Sequence, residues 1–475
     1  MAAYFYRSVF FLVLLNLIVK PLWIFGVDRQ VQVLVGYKAY GTYFAYFGLT
    51  LIFNIIADLG ITLYIQRNLA HLQVRGSWFS KAVIYKIFLS AGYIMLVILA
   101  AEIMQFNNFS LLIALALLQT ILSWIAFCRA VLSAEQLYNQ SSFLSILDKL
   151  LIILPLGWLL YLSQNQSFIT IDSFAWWQVA SSSVALVWGL FSLKNRARQE
   201  VSDQMELSYL QIIRQSMPYA IMIFFMFLHS RTDGIMLEKL THEQDGATGL
   251  YAALYRFIDA GTVFSYLISG FFLSYWSKHL SNTHIIQESM NRMFAILMSV
   301  ALWIGIYFFF FSESLTEIIY HSSDARLTQL LKWGFFTFLP CFMVDVFGTV
   351  LTSNQRIKAM LTFVFFSTLI NIGLNLYFIP AYGAEAAMFV AMFTQAFFGI
   401  CLWVYCKKNW DIEPARSVII RLAILTIILY ISAVIVKSLF SNPLLHGVLL
   451  FITWVISVLI LRLFSFKWFQ EIQTN

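Results

Sequence analysis

Apolar runs of about 20 residues recur along the whole 475-residue chain, and fourteen can be counted. The hydrocarbon core of a bilayer takes about 20 helical residues to cross. With 61% hydrophobic and only 11% charged residues, almost no chain is left over for a soluble domain. Backbone polar groups find no water in hydrocarbon, so such runs must satisfy their hydrogen bonds internally, as helices. The sequence therefore predicts an all-α fold: a polytopic membrane protein with about 14 transmembrane helices.

The runs cover 8–27, 41–64, 81–103, 109–133, 142–163, 174–194, 214–237, 249–276, 293–312, 331–353, 357–378, 384–405, 416–438 and 443–463. The first ends in Phe25-Gly26-Val27-Asp28-Arg29 with no small-residue cleavage site, so it reads as a retained helix. Cys128, Cys341, Cys401 and Cys406 fall within or at the ends of spans, as small buried hydrophobes. The net charge of +7 points to no nucleic-acid partner and reflects the positive-inside bias. With the N-terminus in the cytoplasm, 20 cations fall on the inner side, Lys86 among them, and 8 on the outer side, including Lys20, Arg29 and Lys38. The expected orientation thus has both termini cytoplasmic.

The longest outer loops are expected near 232–248 and 313–330. The longest inner linker, 195–213, is basic and then acidic, and it follows six spans. It divides the chain into a six-helix bundle over 1–194, the linker, a second six-helix bundle over 214–405, and two additional helices over 406–475. An echo supports the two halves. Helix two opens Gly41-Thr-Tyr43-Phe-Ala45 and helix eight opens Gly249-Leu-Tyr251-Ala-Ala253. Each follows an aspartate of the preceding helix, Asp28 or Asp233. Repeats of six helices enter the membrane in one direction, which predicts pseudo-symmetry about the membrane normal.

Charges inside a span are costly and mark wet cavities or partners. The substrate-cavity candidates are Arg256, Asp259, Lys149, Asp148, Arg231, Asp233 and Asp345. Arg256 and Asp259 share one helical face, as an ion pair or as a cationic wall tuned by an acid. An arginine fork suits phosphate because it binds two oxygens at once. Asp148 and Lys149 are adjacent, point about 100° apart and are read separately. Asp58, in Ala57-Asp58-Leu59-Gly60, and Arg67 beyond it are the gate candidates. Asn371 and Asn375, four apart, are placed to hydrogen-bond to a neighbouring helix. No metal site, no HExxH pair, no Walker A sequence and no GxSxG elbow is present. The chain is not read as an enzyme, and no cofactor is expected beyond a coupling H+ or Na+.

Specific segments resemble a known family. Ser230-Arg231-Thr-Asp233-Gly-Ile-Met-Leu237 followed by Gly249-Leu-Tyr251-Ala-Ala-Leu-Tyr-Arg256 resembles helices seven and eight of bacterial polysaccharide flippases. Asn375-Leu-Tyr-Phe-Ile379-Pro380-Ala-Tyr-Gly383-Ala-Glu-Ala386-Ala387 resembles their helix-eleven to helix-twelve hairpin. Tyr40-Gly41-Thr-Tyr43 with Ala57-Asp58-Leu-Gly60 resembles their second helix. The order and spacing of these segments match the Wzx-type O-antigen flippases of the multidrug/oligosaccharidyl-lipid/polysaccharide exporter superfamily. Two departures stand out: Glu385 replaces a usual glycine, and Phe272-Leu-Ser-Tyr275-Trp276 lacks the usual proline.

The resemblance implies a V-shaped pair of bundles around a central cavity. It implies alternating-access flipping of an undecaprenyl-pyrophosphate-linked oligosaccharide, for O-antigen (lipopolysaccharide) or another surface polysaccharide. The implied partners are that lipid, the bilayer and other polysaccharide assembly proteins. Three alternatives stay open: a cation-coupled drug or small-molecule exporter of the same superfamily, a peptidoglycan lipid-precursor flippase of the same fold, and a membrane glycosyltransferase or polymerase. The last usually carries a sizeable outer loop, which this chain lacks.

Overall fold

The computed structural model describes residues 16, 18–62, 77–135, 137–162, 168–194, 209–241, 246–279, 282–321 and 324–464. Among them are twelve helices long and apolar enough to cross a membrane and no strand. They are α1 (Ile18–Ala57), α2 (Ala82–Ile103), α3 (Phe109–Ala134), α4 (Tyr138–Tyr161), α5 (Ile171–Leu193) and α6 (Ala220–Leu240). There follow α7 (Ala247–Ser277), α8 (Thr283–Tyr320), α9 (Ala325–Ser353), α10 (Ile357–Trp410), α11 (Arg416–Leu439) and α12 (Pro443–Ile460).

Twelve helices and fourteen apolar runs are reconciled by two bends. In α10, Gly383 leaves the helical region (φ 54°, ψ −131°). The Ser367 hydroxyl, 27 residues before Thr394, donates to the Thr394 carbonyl at 2.8 Å. Along a straight helix those residues would stand about 40 Å apart. The chain therefore turns back at Gly383, and α10 is two antiparallel limbs. In α1, Gly36 breaks the helix (φ 82°, ψ 165°). The Tyr40 hydroxyl reaches back to Asp28, at 2.8 and 2.9 Å from its two carboxylate oxygens. Both positive φ angles fall where glycine alone is unstrained.

Several helix starts are fixed by side-chain caps. Asn108, Asn282, Asp324 and Asn442 each accept a backbone N–H of the first turn of α3, α8, α9 and α12. Such caps satisfy donors that an isolated helix end leaves free. They also shorten the expected loops. The 313–330 loop shrinks because α8 runs on to Tyr320 and α9 begins at Ala325, and the 232–248 loop shrinks because α6 runs on to Leu240. The first limb of α1 likewise extends to Gly36, so Lys20 lies within a helix, sixteen residues before the bend, and not in an outer segment.

The chain divides into two compact units, Met1–Gly249 and Leu250–Asn475. In the first, α3 packs along α4 and α5, and α1 packs along α6. Here the two echoed glycines meet. A Cβ on Gly41 would stand 2.7 Å from the Gly249 nitrogen, and one on Gly249 would stand 2.0 Å from the Tyr37 carbonyl oxygen. Only bare backbone fits at this crossing. In the second unit α9 packs on α10, while α11 and α12 pack on α8. Large apolar side chains of α11 and α12, such as Ile427 and Ile456, remain outward-facing, as lipid-facing helices require.

Candidate functional site

The polar and charged side chains inside the helices gather into separate clusters. In the first unit, Lys20 of α1, Arg129 of α3 and Asp148 and Lys149 of α4 form one group. Lys20 feels the charges of all three others, and Arg129 feels that of Asp148. The Lys149 ammonium lies 3.2 Å from an Asp148 carboxylate oxygen and 4.9 Å over the Trp23 ring. The Arg129 Nε donates to the Ser141 carbonyl at 3.3 Å, and Ser133 and Ser141 join their hydroxyls at 2.8 Å across the α3–α4 corner. Asn16 donates to the Ser145 hydroxyl at 3.3 Å. Among the described residues, three cations interact with one carboxylate, an excess of positive charge in a low-dielectric setting.

This cluster corrects one expectation and supplies residues that the sequence reading missed. Asp148 and Lys149 do not act separately: the four-carbon lysine stem curls back, and a fixed 100° between Cα–Cβ directions does not constrain its tip. Lys20 was counted on the outer side, and Arg129 was not among the cavity candidates. Arg129 carried a usable signal, because it lies inside the apolar run 109–133.

A second cluster sits where α1 ends. Lys86 of α2 is 0% exposed and makes an ion pair with Asp58 at 2.6 Å. Its ammonium also donates to the Ser123 hydroxyl at 2.8 Å and lies 5.7 Å from the ring centres of both Trp124 and Phe127. Thr62 donates to Asp58 through its hydroxyl and its backbone N–H. Counting Lys86 as an inner-side loop charge was therefore wrong. It lies one turn inside α2, where the aromatic rings and Asp58 replace water. Arg67, the other gate candidate, lies outside the described residues. On α6, Asp233 is 1% exposed and Arg231 is half-buried, its backbone against Gly48 of α1. Asp28 is held by Tyr40.

The second unit carries the opposite chemistry. Arg256 of α7, 5% exposed, donates to the Tyr320 hydroxyl of α8 at 3.1 Å, and that hydroxyl lies 3.3 Å from the Ala253 carbonyl. Farther along α7, Asp259, Thr262, Ser265 and Ser269 recur at helical spacing on one side. Thr262 donates to the Asp259 carbonyl at 2.9 Å, and Ser265 donates to the Asp345 carboxylate of α9. Cys341 of α9 feels the charges of both Asp259 and Asp345, and Gln395 of α10 donates to its sulfur at 3.6 Å. The buried Ser269 hydroxyl has no hydrogen-bond partner among the described residues. Asp345 thus accepts from Ser265, and Asp259 and Asp345 both lie near Cys341. In α10, Asn371 and Asn375, both 0% exposed, bond to each other at 3.1 Å, and Asn371 donates to Thr394 at 3.3 Å. They tie the two limbs together.

Solved structures with this arrangement of helices exist. The chain is similar to "Lipid II flippase MurJ, inward closed conformation", with a TM-score of 0.66 and 14% identity, over 96% of this chain and 98% of that one. It is similar to an outward-facing multidrug resistance MATE transporter of the MOP superfamily (TM-score 0.58, 11% identity, 85% and 96% covered). A MOP superfamily transporter from Pyrococcus furiosus, described as having a binding pocket of reverse polarity, matches at TM-score 0.59 and 12% identity (85% and 96% covered). The fold is that of the MOP-superfamily transporters. No family model and no curated protein matches the sequence. The MOP-type fold and the twelve apolar helices make the chain a multi-pass membrane protein.

Proposed function

We propose that this protein is a transporter that flips an undecaprenyl-pyrophosphate-linked oligosaccharide across the bacterial cytoplasmic membrane by alternating access. The observation that carries this reading is the cluster of Lys20, Arg129 and Lys149 against the single carboxylate of Asp148. A pyrophosphate entering hydrocarbon unaided loses hydration worth many kcal/mol. Fixed cations replace part of that hydration, and they repel the cationic drugs an exporter of the same fold would carry. The isoprenoid tail needs no enclosure, since it can stay in lipid. The Asp259–Asp345 group supplies a site at which H+ or Na+ couples to movement. Surface polysaccharide such as O-antigen is the destination that the Wzx-like segments favour. The same resemblance and the cation distribution support an inner-membrane location with both termini cytoplasmic.

The test is transport in liposomes. Purified protein should expose a fluorescent undecaprenyl-pyrophosphate oligosaccharide on the far leaflet. No movement of any such lipid, together with efflux of a small cationic drug, would replace the flippase reading with the exporter one.

A further inference from the structure

The bend at Gly383 leaves a hollow on the side of α10. It has a volume of about 470 Å³ and is lined by Leu374, Phe378, Tyr382, Glu385, Phe389 and Phe393 among others. The lining is apolar and aromatic with one exception, the Glu385 carboxylate. Glu385 is exposed and makes no ion pair or hydrogen bond among the described residues. The aromatic rings are open too: Tyr382 is 66% exposed, Phe389 44% and Phe393 57%. The positive end of the second limb lets a carboxylate sit at that position. It does not fill the hollow beside it.

We propose that this hollow binds a phospholipid of the surrounding bilayer whose head group carries a primary ammonium. The occupant must have an apolar body and a cationic end, because the cavity wall is apolar and its one charge is negative. Acyl chains lie along Leu374, Phe389 and Phe393. The ammonium donates to Glu385 and meets the Tyr382 ring, a cation–aromatic contact that strengthens away from water. The volume suits a flexible chain and not a second transmembrane helix, whose diameter with side chains is about 10–12 Å. The site is distinct from the cationic cluster of the first unit, and its sign excludes a lipid recognised mainly through phosphate.

The experiment reads retained lipid by native mass spectrometry, after the protein is released from vesicles of equal parts phosphatidylethanolamine and phosphatidylglycerol. The wild-type protein should retain the ethanolamine lipid about tenfold over the glycerol lipid. Glu385→Gln, a change at an exposed position, should bring the two to parity. Phe393→Ala should lower retention of both. Equal retention of the two lipids by the wild type, or unchanged preference in Glu385→Gln, would overturn the proposal. So would a lipid-free dimer as the dominant species.

Discussion

The two compact units share a helical architecture but bury charge in opposite ways. In Met1–Gly249, three cations of α1, α3 and α4 share one acid, Asp148. In Leu250–Asn475, two acids of α7 and α9 lie near Cys341, Ser265 donates to one of them, Asp345, and Arg256 donates to Tyr320. Low dielectric makes each arrangement selective by sign. On the proposed function, the first takes the anionic group and the second a proton or small cation.

The largest expected effect falls on Arg256, the one buried cation among the described residues on the acidic side of this comparison. Arg256→Ala should abolish export at equal expression while folded protein remains in the membrane. Arg256→Lys should keep part of the activity, because the charge survives without the fork. Export in cells, normalised to membrane content, measures this. Wild-type export by the alanine variant would remove Arg256 from the substrate path and leave it a clamp on Tyr320.

Lys86 sharpens the comparison from the other side, since it is a cation of the first unit outside the proposed anion site. Lys86→Met should destabilise the protein by about 3–5 kcal/mol, because it leaves Asp58 without its buried partner. Lys86→Met with Asp58→Leu should recover much of that loss. Unfolding of both variants in mild detergent checks this. Equal stability of Lys86→Met and the wild type would contradict the buried ion pair.

A smaller effect is expected at Asp345. Asp345→Asn should lower transport driven by an imposed H+ or Na+ gradient about tenfold, the size of one lost charge-assisted hydrogen bond. Binding of the lipid-linked substrate should be unchanged. A loss of binding as large as the loss of transport would erase the division between the two units.

The fold was legible because hydrocarbon imposes one requirement on every span, and apolar length alone reports it. All the apolar runs became helical limbs wherever residues are described, and the two bends fell at glycines between runs. The bonding of Asn371 and Asn375 was also legible, because a spacing of four on an apolar helix leaves polar groups only a neighbour to meet. The clusters were less so. Arg256 and Asp259 share a helical face, but the contact of the arginine with Tyr320, 64 residues away, could not be read from spacing. Lys86 and Lys20 sit near predicted helix ends, where hydropathy cannot separate a loop charge from a buried one. Only the packing of α1, α2 and α3 decides that Lys86 meets Asp58 and not water.

The most direct measurement compares one reconstituted system with two proteins. Wild type and the Lys20→Gln/Lys149→Gln double variant are placed in liposomes carrying a fluorescent undecaprenyl-pyrophosphate oligosaccharide, and far-leaflet exposure is followed with time. Lys149 accounts for an ion pair as well as a cation, so correct folding is verified by unfolding in parallel. The account predicts at least about a tenfold slower flip by the folded double variant, with the loss shrinking as salt is raised. Flipping at the wild-type rate by the folded double variant would contradict the claim that the first unit holds the pyrophosphate.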